Sequence, residues 1–181
     1  MIMLNPYKIS VFNKIYNLDY IVAVATGREF KRQGYMRSLL NKVLCDMNVE
    51  GIPFTYLIPA NKDYYLPFDF AFVADKNEYI ENFSDFNKQV IKGDEIEKEF
   101  IDRIVNFINN EVSKENDVYT YRDEYYFRRE LKVIACEDGF INIYSDENDI
   151  VAYESFWGKK LELKERIVSS KLAKKIGRAH V

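Results

Sequence analysis

The sequence predicts an α+β fold, in which helices cover a mixed sheet, arranged in two domains. The 181 residues are 48% hydrophobic and 30% charged, which allows a buried core without disulfides. The first part of the chain reads strand, loop, helix, strand, and such a βαβ unit has two parallel strands. The last part reads as three short strands separated by turn-rich segments, which predicts an antiparallel meander.

The βαβ unit is predicted from three segments. Residues 20–25 (YIVAVA) form an apolar, β-rich run that is typical of a buried strand. Residues 53–58 (PFTYLI) predict the second strand, which Pro59 ends. Between them, a helix that ends near Gly51 is predicted by apolar residues at i, i+3, i+4, i+7, i+8 and i+11: Met36, Leu39, Leu40, Val43, Leu44 and Met47.

The second domain is predicted to follow a weak apolar pattern in residues 81–93. We place the first domain at residues 1–85 and the second at residues 86–175. Residues 122–135 predict a helix, and the meander strands are residues 140–144, 150–157 and 161–168. An earlier amphipathic helix, with acidic residues at its positive N-terminal end, is predicted by Ile96, Phe100, Ile101, Ile104, Val105, Ile108 and Val112, preceded by Asp94, Glu95 and Glu97.

Composition argues against several classes of function. A formal net charge of -3 disfavours broad nucleic-acid binding, although a local anion site stays open. No apolar run approaches the roughly 18 residues of a membrane span, and the N-terminus lacks a secretion leader, so we expect a cytoplasmic protein without membrane partners. Cys45 and Cys136 have no metal-ligand spacing and fall in apolar stretches, which predicts reduced core cysteines and no metal site.

Both ends of the chain carry unusual sequence. Residues 176–181 (IGRAHV) are the translation of the start of a common short-read sequencing adapter, ATC GGA AGA GCA CAC GTC, and we interpret them as an adapter artefact. On this interpretation the native chain continues past Lys175, and the single histidine, His180, does not belong to it. A natural basic tail is the alternative. The chain also begins directly in strand-like sequence.

The segment that indicates chemistry lies at residues 23–40 (AVATGREFKRQGYMRSLL). Five basic residues and one acidic residue fall between Arg28 and Lys42, and Gly34 stands at the entrance to the predicted helix. A helix N-terminus offers unpaired N–H groups, and a glycine there lets a ligand approach the backbone closely, which suits a pyrophosphate. The segment matches neither GxxxxGK[ST] nor GxGxxG, so it predicts an anion site of another type.

The arrangement V-A-T, loop, KRQGYM resembles the acetyl-CoA loop of the GNAT N-acetyltransferases, [RQ]-x-x-G-x-[GA]. The chain is most similar to the enhanced-intracellular-survival (Eis) type, through LNPYKI, YIVAVAT, RQGYMRSLL, PFTYLIPA and YYLPFDF in order. The later stretch VYTYRDEYYF resembles the opening of that type's second GNAT-like domain. The resemblance implies a partial GNAT acyl-CoA N-acyltransferase fold followed by part of a second one, with the first strand and the helices of the acceptor wall missing before Leu4.

The resemblance also implies roles for individual residues. Acetyl-CoA would be the co-substrate, and a small-molecule or peptide amine would be the acceptor. Tyr65 would be the general acid that protonates the coenzyme A thiolate. The N–H near Val24 would donate to the oxyanion. The general base of the Eis type is a C-terminal carboxylate, expected beyond Lys175. The cofactor contacts would be Val24, Ala25, Thr26, Arg32, Gln33, Gly34, Tyr35, Met36, Arg37, Ala60 and Asn61.

Three residues depart from the GNAT pattern. Lys31 stands where the motif usually has Arg or Gln. It keeps the positive charge of an arginine but not its bidentate hydrogen-bonding geometry. Met36 replaces a small residue. Asp69 replaces a glycine in the turn after Tyr65, so that turn is expected to differ.

Alternative interpretations stay open beside the enzyme. Tyr64 and Tyr65 are also typical of core rings with hydroxyls at the surface. A non-catalytic acyl-CoA-binding or scaffold module would use the same loop without a base. An aromatic-rich RNA-binding domain is a third hypothesis, which the negative charge disfavours. The sequence leaves the acceptor unnamed and a homo-oligomeric full-length form open.

Overall fold

The computed structural model describes residues 1–73, 83–93 and 95–172. The chain divides into two compact units. The first comprises Met1–Ile9 and Ile15–Tyr79, and the second comprises Ser10–Lys14 and Ile80–Val181. The predicted adapter segment, residues 176–181, and Asp94 lie outside the described residues. The domain limits drawn from the sequence stay predictions.

The first unit contains a strand hairpin and one long helix. Strands β1 (Met3–Val11) and β2 (Lys14–Val22) are hydrogen-bonded neighbours. The turn between them places Phe12 and Asn13 at positive φ, as a two-residue hairpin turn requires. Helix α1 (Tyr35–Val49) confirms the predicted helix, and its Leu40 and Met47 are buried. The strand predicted at residues 20–25 is wrong in its limits, because β2 begins earlier and ends at Val22.

The predicted strand at residues 53–58 is not formed. Only Tyr56 makes a bridge, which is parallel and joins Tyr20 of β2. There the Ile21 N–H donates to the Tyr56 carbonyl oxygen at 3.0 Å. The bridge has the parallel orientation predicted for the two segments, but residues 53–58 form no strand that would complete a βαβ unit. Strand pairing does not extend beyond this bridge among the described residues, although β2 itself continues to Val22.

The second unit contains two helices and a four-stranded sheet. The helices are α2 (Lys98–Val112) and α3 (Glu124–Cys136), and a short strand β4 (Val118–Thr120) lies between them. The remaining strands, β3 (Asn87–Ile91), β5 (Phe140–Asp146), β6 (Asp149–Trp157) and β7 (Glu162–Val168), form an antiparallel sheet in the order β3-β5-β6-β7. Both predicted helices and the meander are confirmed. Strand β3, however, lies in the weakly patterned segment that was predicted to separate domains.

Helices α2 and α3 pack on the sheet of the second unit through one apolar face each. The shared core is formed by Ile101, Ile104, Val105, Ile108, Phe127, Leu131, Ile134, Ile141, Ile143 and Tyr153. Trp157 packs against this core, and the Lys164 ammonium lies 4.1 Å from its ring. Burial of these apolar side chains is the main favourable term in the stability of the unit.

Cys45 and Cys136 are free, but the prediction that they belong to the core is wrong, since both are exposed. Each lies five residues after a buried leucine of its helix, Leu40 in α1 and Leu131 in α3. Five residues correspond to a rotation of roughly 140° away from that buried position at 3.6 residues per turn. The helical period therefore directs both thiols to solvent.

Two carboxylates that could be taken as solvated have partners in the structure. The Asp123 carboxylate accepts from the Tyr126 N–H at 2.8 Å and caps α3. The Glu124 carboxylate pairs with Arg128 at 2.9 Å and with Lys98 at 3.2 Å. None of the helices within residues 1–73, 83–93 and 95–172 is long and apolar enough to cross a membrane.

Candidate active site

The segment after β2 presents two backbone amides. Ala23 takes a left-handed conformation, with φ of 53°, which is uncommon for a residue with a Cβ atom. Ala25 then pairs with Met1 at both of its backbone groups: its N–H donates to the Met1 carbonyl at 3.0 Å, and its carbonyl accepts from the Met1 amino group at 2.8 Å. In strand-like pairing, alternate residues direct their backbone groups to opposite edges. Within the described part of the chain, the N–H groups of Val24 and Thr26 have no hydrogen-bond partner.

These two amides lie where the backbone pairing between β2 and residues 53–58 has ended, and we call this unpaired stretch the gap. The hydrogen bond from Ile21 to Tyr56 joins β2 to residues 53–58, and this pairing ends there. Beyond it, Ala23 redirects the chain toward Met1, while residues 57–60 continue without strand pairing. Beyond the last bridge of this pairing, the N–H groups of Val24 and Thr26, which have no partner among the described residues, are two donors that an extended ligand could use.

Gly34 is the N-cap of α1, as predicted. Its φ of 85° is left-handed, and a Cβ atom built on it would meet nothing within 4 Å. The first N–H groups of the helix, at Tyr35, Met36 and Arg37, have no carbonyl partner within the helix by geometry. An anion at this helix end would therefore meet three backbone donors, positive helix-dipole charge and open space.

The basic loop before α1 is exposed. Arg32 is left-handed, with φ of 61°, and the Gln33 side-chain amide donates to the Glu29 carbonyl at 2.8 Å. The Arg37 guanidinium carbon lies 5.6 Å from the centre of the Phe68 ring. Lys31 is also exposed. Arg32, Lys31 and Arg37 are thus accessible to a ligand phosphate, and Gln33 shapes the loop.

Ala60 and Asn61 lie at the start of the turn that leads to Tyr65, and both are exposed. The Asn61 side-chain oxygen accepts from the Asp63 N–H at 2.9 Å, which caps the short turn Lys62–Tyr64. Asn61 therefore shapes this turn, and its amide NH₂ is the part of the side chain that could donate to a ligand.

Tyr65 is half-buried, whereas its neighbour Tyr64 is 61% exposed. The Tyr65 ring packs edge-on against Phe70, with centroids 5.9 Å apart, and contacts the apolar cluster around Ile21 and Leu40. Burial, with a smaller contribution from Tyr20, raises the pKa of the Tyr65 phenol above its usual range. The phenol therefore keeps its proton through neutral pH, as a general acid must.

Asp69, which stands at the glycine position of the GNAT pattern, has a left-handed backbone conformation. Its φ of 62° and ψ of 22° are left-handed, and its N–H donates to the Leu66 carbonyl. Asp adopts this conformation more readily than most residues because its short polar side chain can bond locally. The turn is thus left-handed despite the substitution.

Sequence reasoning missed three aromatic residues beside this gap: Tyr7, Tyr20 and Tyr56. The Tyr20 and Tyr56 ring centroids lie 5.0 Å apart, and Tyr7 lies 6.0 Å from Tyr20 and 6.5 Å from Tyr56. Each residue belongs to a different segment, so only the register of β1, β2 and the Tyr56 bridge brings them together. The sequence signal for this cluster was Tyr20, the first residue of the run YIVAVA.

One further feature of the second unit lies outside this site. A groove of about 1140 Å³ in the second unit is lined by α2 and the β5–β6 turn, and by none of the predicted site residues. Among the residues described, no cluster of three or more His, Cys, Asp and Glu side chains could hold a metal ion.

The sequence matches one family model, described as an acetyltransferase (GNAT) domain, over residues 1–73. A search of curated proteins found no match. The match covers the hairpin, the basic loop, α1 and Tyr65.

Solved structures are similar along nearly the whole chain. A conserved protein of unknown function from Enterococcus faecalis V583, whose description adds "Probable N-Acyltransferase", has a TM-score of 0.62 at 15% identity, over 96% of this chain and 46% of its own. A GCN5-related N-acetyltransferase from Anabaena variabilis ATCC 29413 gives 0.62 at 13%, over 95% and 46%. Saccharomyces cerevisiae N-myristoyltransferase with bound myristoyl-CoA gives 0.60 at 13%, over 95% and 50%.

The chain thus spans half or less of the length of these proteins. At such identities the likeness carries the fold. Residues 1–73 match the GNAT acetyltransferase domain, and the chain as a whole has the mixed α+β fold of the GNAT acyltransferases.

Proposed function

We propose that the protein transfers an acetyl group from acetyl-CoA to a primary amine, as an N-acetyltransferase of the Eis type. The observation that carries the proposal is the pair of amides at Val24 and Thr26, which have no partner among the described residues, followed in the same chain by the left-handed Gly34 at the N-terminus of α1. The amides suit the carbonyls of a pantetheine arm and a thioester. The helix end suits a pyrophosphate.

The residues present fit such a substrate in three respects. Space is open where a Cβ atom at Gly34 would lie, so a phosphate can approach the backbone. Arg32, Arg37 and Lys31 add positive charge. The amide of Val24 is preorganised by the pairing of Ala25 with Met1, and a preorganised donor is what a developing oxyanion needs.

The reaction is a direct transfer without an acyl-enzyme. The neutral amine attacks the thioester carbonyl carbon, and the oxyanion accepts a hydrogen bond from the Val24 N–H. Collapse breaks the carbon–sulfur bond, and Tyr65 gives its phenolic proton to the departing thiolate. The nitrogen of the new amide releases its extra proton to solvent, and the Tyr65 phenolate regains a proton from solvent. The reference pKa of a phenol, near 10, is about 1.5 units above that of a thiol. Complete transfer of the proton from the phenol to the thiolate therefore costs about 2 kcal/mol, before the effect of the site on either pKa is added. We assign no general base within residues 1–175.

The sequence resemblance suggests the acyl group, the acceptor and the cofactor contacts. One structural neighbour holds myristoyl-CoA, so the fold itself does not fix the acyl group. We propose acetyl-CoA from the motif around Gly34, an amine of a small molecule or peptide as the acceptor, and the residues of the acetyl-CoA loop with Ala60 and Asn61 as its contacts. We also propose a second, partial GNAT-like domain in residues 86–175, and a cytoplasmic location.

The test compares Tyr65→Phe with Tyr64→Phe in thiol release from acetyl-CoA, with a polyamine as acceptor. Loss of a general acid typically costs about 10²-fold or more, so we expect kcat of Tyr65→Phe to fall by at least that factor with KM for acetyl-CoA nearly unchanged. Tyr64→Phe removes an exposed neighbouring phenol and should leave both constants unchanged.

The outcomes separate the candidate functions. Equal turnover by the Tyr65→Phe protein and the parent would remove Tyr65 from the mechanism. Calorimetric binding of acetyl-CoA without turnover, in the chain extended to its full genomic reading frame, would favour a non-catalytic acyl-CoA module. Absence of both binding and turnover would overturn the proposed function.

A further inference from the structure

We infer that Tyr20 and Tyr56 limit the length of the acyl chain, so that the site accepts acetyl and rejects acyl groups of several carbons. This inference rests on the proposed function and names the residues that would give it its specificity.

The direction of a bound thioester follows from the order of the donors. The pyrophosphate end belongs at Gly34, and the amides of Thr26 and Val24 lead from there toward β2. A coenzyme A thioester carries its acyl group at the end remote from the pyrophosphate. The acyl group therefore lies nearest the point where Ile21 bonds to Tyr56.

The gap between the two chain segments closes at that point. The Ile21 N–H to Tyr56 carbonyl bond of 3.0 Å leaves no space between β2 and residue 56. A second bond, from the Thr55 hydroxyl to the Asp19 carbonyl at 2.6 Å, holds the segments together one step further along. An acyl chain longer than acetyl must consequently leave the plane of the sheet toward one face or the other.

Side chains occupy both faces. Successive residues of a strand point to opposite faces, so Ile21 and Tyr20 lie on opposite sides of β2. Ile21 is 2% exposed and packs with Leu40 and Leu57 under α1. On the other face the Tyr20 and Tyr56 rings touch, with centroids 5.0 Å apart, and Tyr7 packs on both.

Substitutions can make space on the face of β2 where Tyr20 and Tyr56 lie. Protein interiors are closely packed, so an added methylene group fits only if neighbouring side chains move. Ile21 belongs to the buried core of the unit, and its truncation would cost stability. Tyr20 and Tyr56 are half-buried, so truncation removes a ring without emptying the core.

The experiment measures binding of acetyl-, butanoyl-, hexanoyl- and octanoyl-CoA to the full chain by isothermal titration calorimetry, with free coenzyme A as reference. Parent protein should bind acetyl-CoA at least about tenfold more tightly than hexanoyl-CoA, since one methylene in a closed pocket is already worth 10-fold or more. Tyr20→Ala and Tyr56→Ala should each reduce the preference for acetyl-CoA over hexanoyl-CoA to about threefold or less.

Tyr16→Ala is the matched control. Tyr16 is also a half-buried tyrosine of β2, but its aromatic partner is Phe54, at 6.4 Å. Tyr16→Ala should leave the ratio of the affinities for acetyl-CoA and hexanoyl-CoA at the parental value. Thermal unfolding of each variant establishes that the proteins compared are folded.

Each result has a separate meaning. Equal affinity of the parent for acetyl- and hexanoyl-CoA would overturn the inference and leave the proposed function standing. An unchanged ratio in both Tyr20→Ala and Tyr56→Ala would overturn it as well. A parent that binds neither free coenzyme A nor any thioester would overturn the proposed function itself.

Discussion

Two glycines with the same backbone conformation flank helix α1. Gly34 precedes the helix with φ of 85°, and Gly51 follows it with φ of 75°. A Cβ atom at either position would meet nothing within 4 Å. The cost of a side chain at either residue is therefore conformational alone, and only Gly34 lies in the proposed cofactor loop.

Gly34→Ala should lower stability by about 1–2 kcal/mol, because a Cβ atom disfavours the left-handed region. It should also weaken coenzyme A binding by at least about tenfold, since the methyl group projects into the space offered to the pyrophosphate. Gly51→Ala should cause a similar loss of stability. Urea unfolding and calorimetric titration measure the two effects.

Gly51→Ala provides the control because it should bind coenzyme A with parental affinity. Equal affinity in Gly34→Ala and Gly51→Ala would show that no phosphate approaches Gly34. That result would contradict the anion site at the N-terminus of α1.

At the scale of elements, one side chain joins α2 to the start of α3. Asn109, in α2, makes two hydrogen bonds with the backbone of Arg122: its NH₂ donates to the Arg122 carbonyl at 2.7 Å, and its side-chain oxygen accepts from the Arg122 N–H at 3.0 Å. Arg122 is buried and pairs with Glu165 of β7 at 2.6 Å. Asn109 thus fixes the segment that carries a buried charge.

Asn109→Ala should destabilise the second unit by about 1–3 kcal/mol, because it leaves a partly buried N–H and C=O without their partners. Asn109→Asp keeps the acceptor and loses the donor, so its loss should be smaller. Asn106→Ala alters an exposed residue of the same helix and should stay within about 0.5 kcal/mol of the parent. Chemical unfolding followed by Trp157 fluorescence measures all three. A loss in Asn109→Ala no larger than in Asn106→Ala would contradict this role.

At the scale of the whole molecule, buried phenols make stability sensitive to alkaline pH. Burial raises the pKa of Tyr153 and of Tyr126, and burial together with a hydrogen bond to Glu154 raises the pKa of Tyr144 to about 12. The folded state therefore holds these protons more tightly than the unfolded state. Their contribution is complete below pH 10 and is lost as the pH rises through the folded-state pKa.

The free energy of unfolding should consequently fall between pH 10 and 11. Each of these tyrosines contributes a slope of up to about 1.4 kcal/mol per pH unit, because the unfolded chain has released a proton that the folded chain keeps. Urea unfolding at pH 9, 10 and 11 measures the slope. Tyr144→Phe should reduce it, whereas Tyr125→Phe, at a residue 74% exposed, should not. A slope of zero in the parent would contradict the prediction.

The sequence by itself determined the elements whose signals are local. Helices α1, α2 and α3 follow from apolar residues repeated at i, i+3 and i+4, and the meander follows from turn residues between apolar runs. The position of Gly34 at a helix start is also local. The same helical period places Cys45 and Cys136 off the buried face, so their exposure was predictable from the sequence.

Tertiary structure decided what depends on pairing between distant residues. In the part of the chain that the structure describes, the amides of Val24 and Thr26 are left without partners because Ala25 is the residue that pairs with Met1. The tyrosine cluster exists because Tyr56 meets β2 at Tyr20. The strand predicted at residues 53–58 reduces to the single bridge between Tyr56 and Tyr20. Register between segments is set by packing and by backbone geometry such as that of Ala23, and neither leaves a local pattern in the sequence.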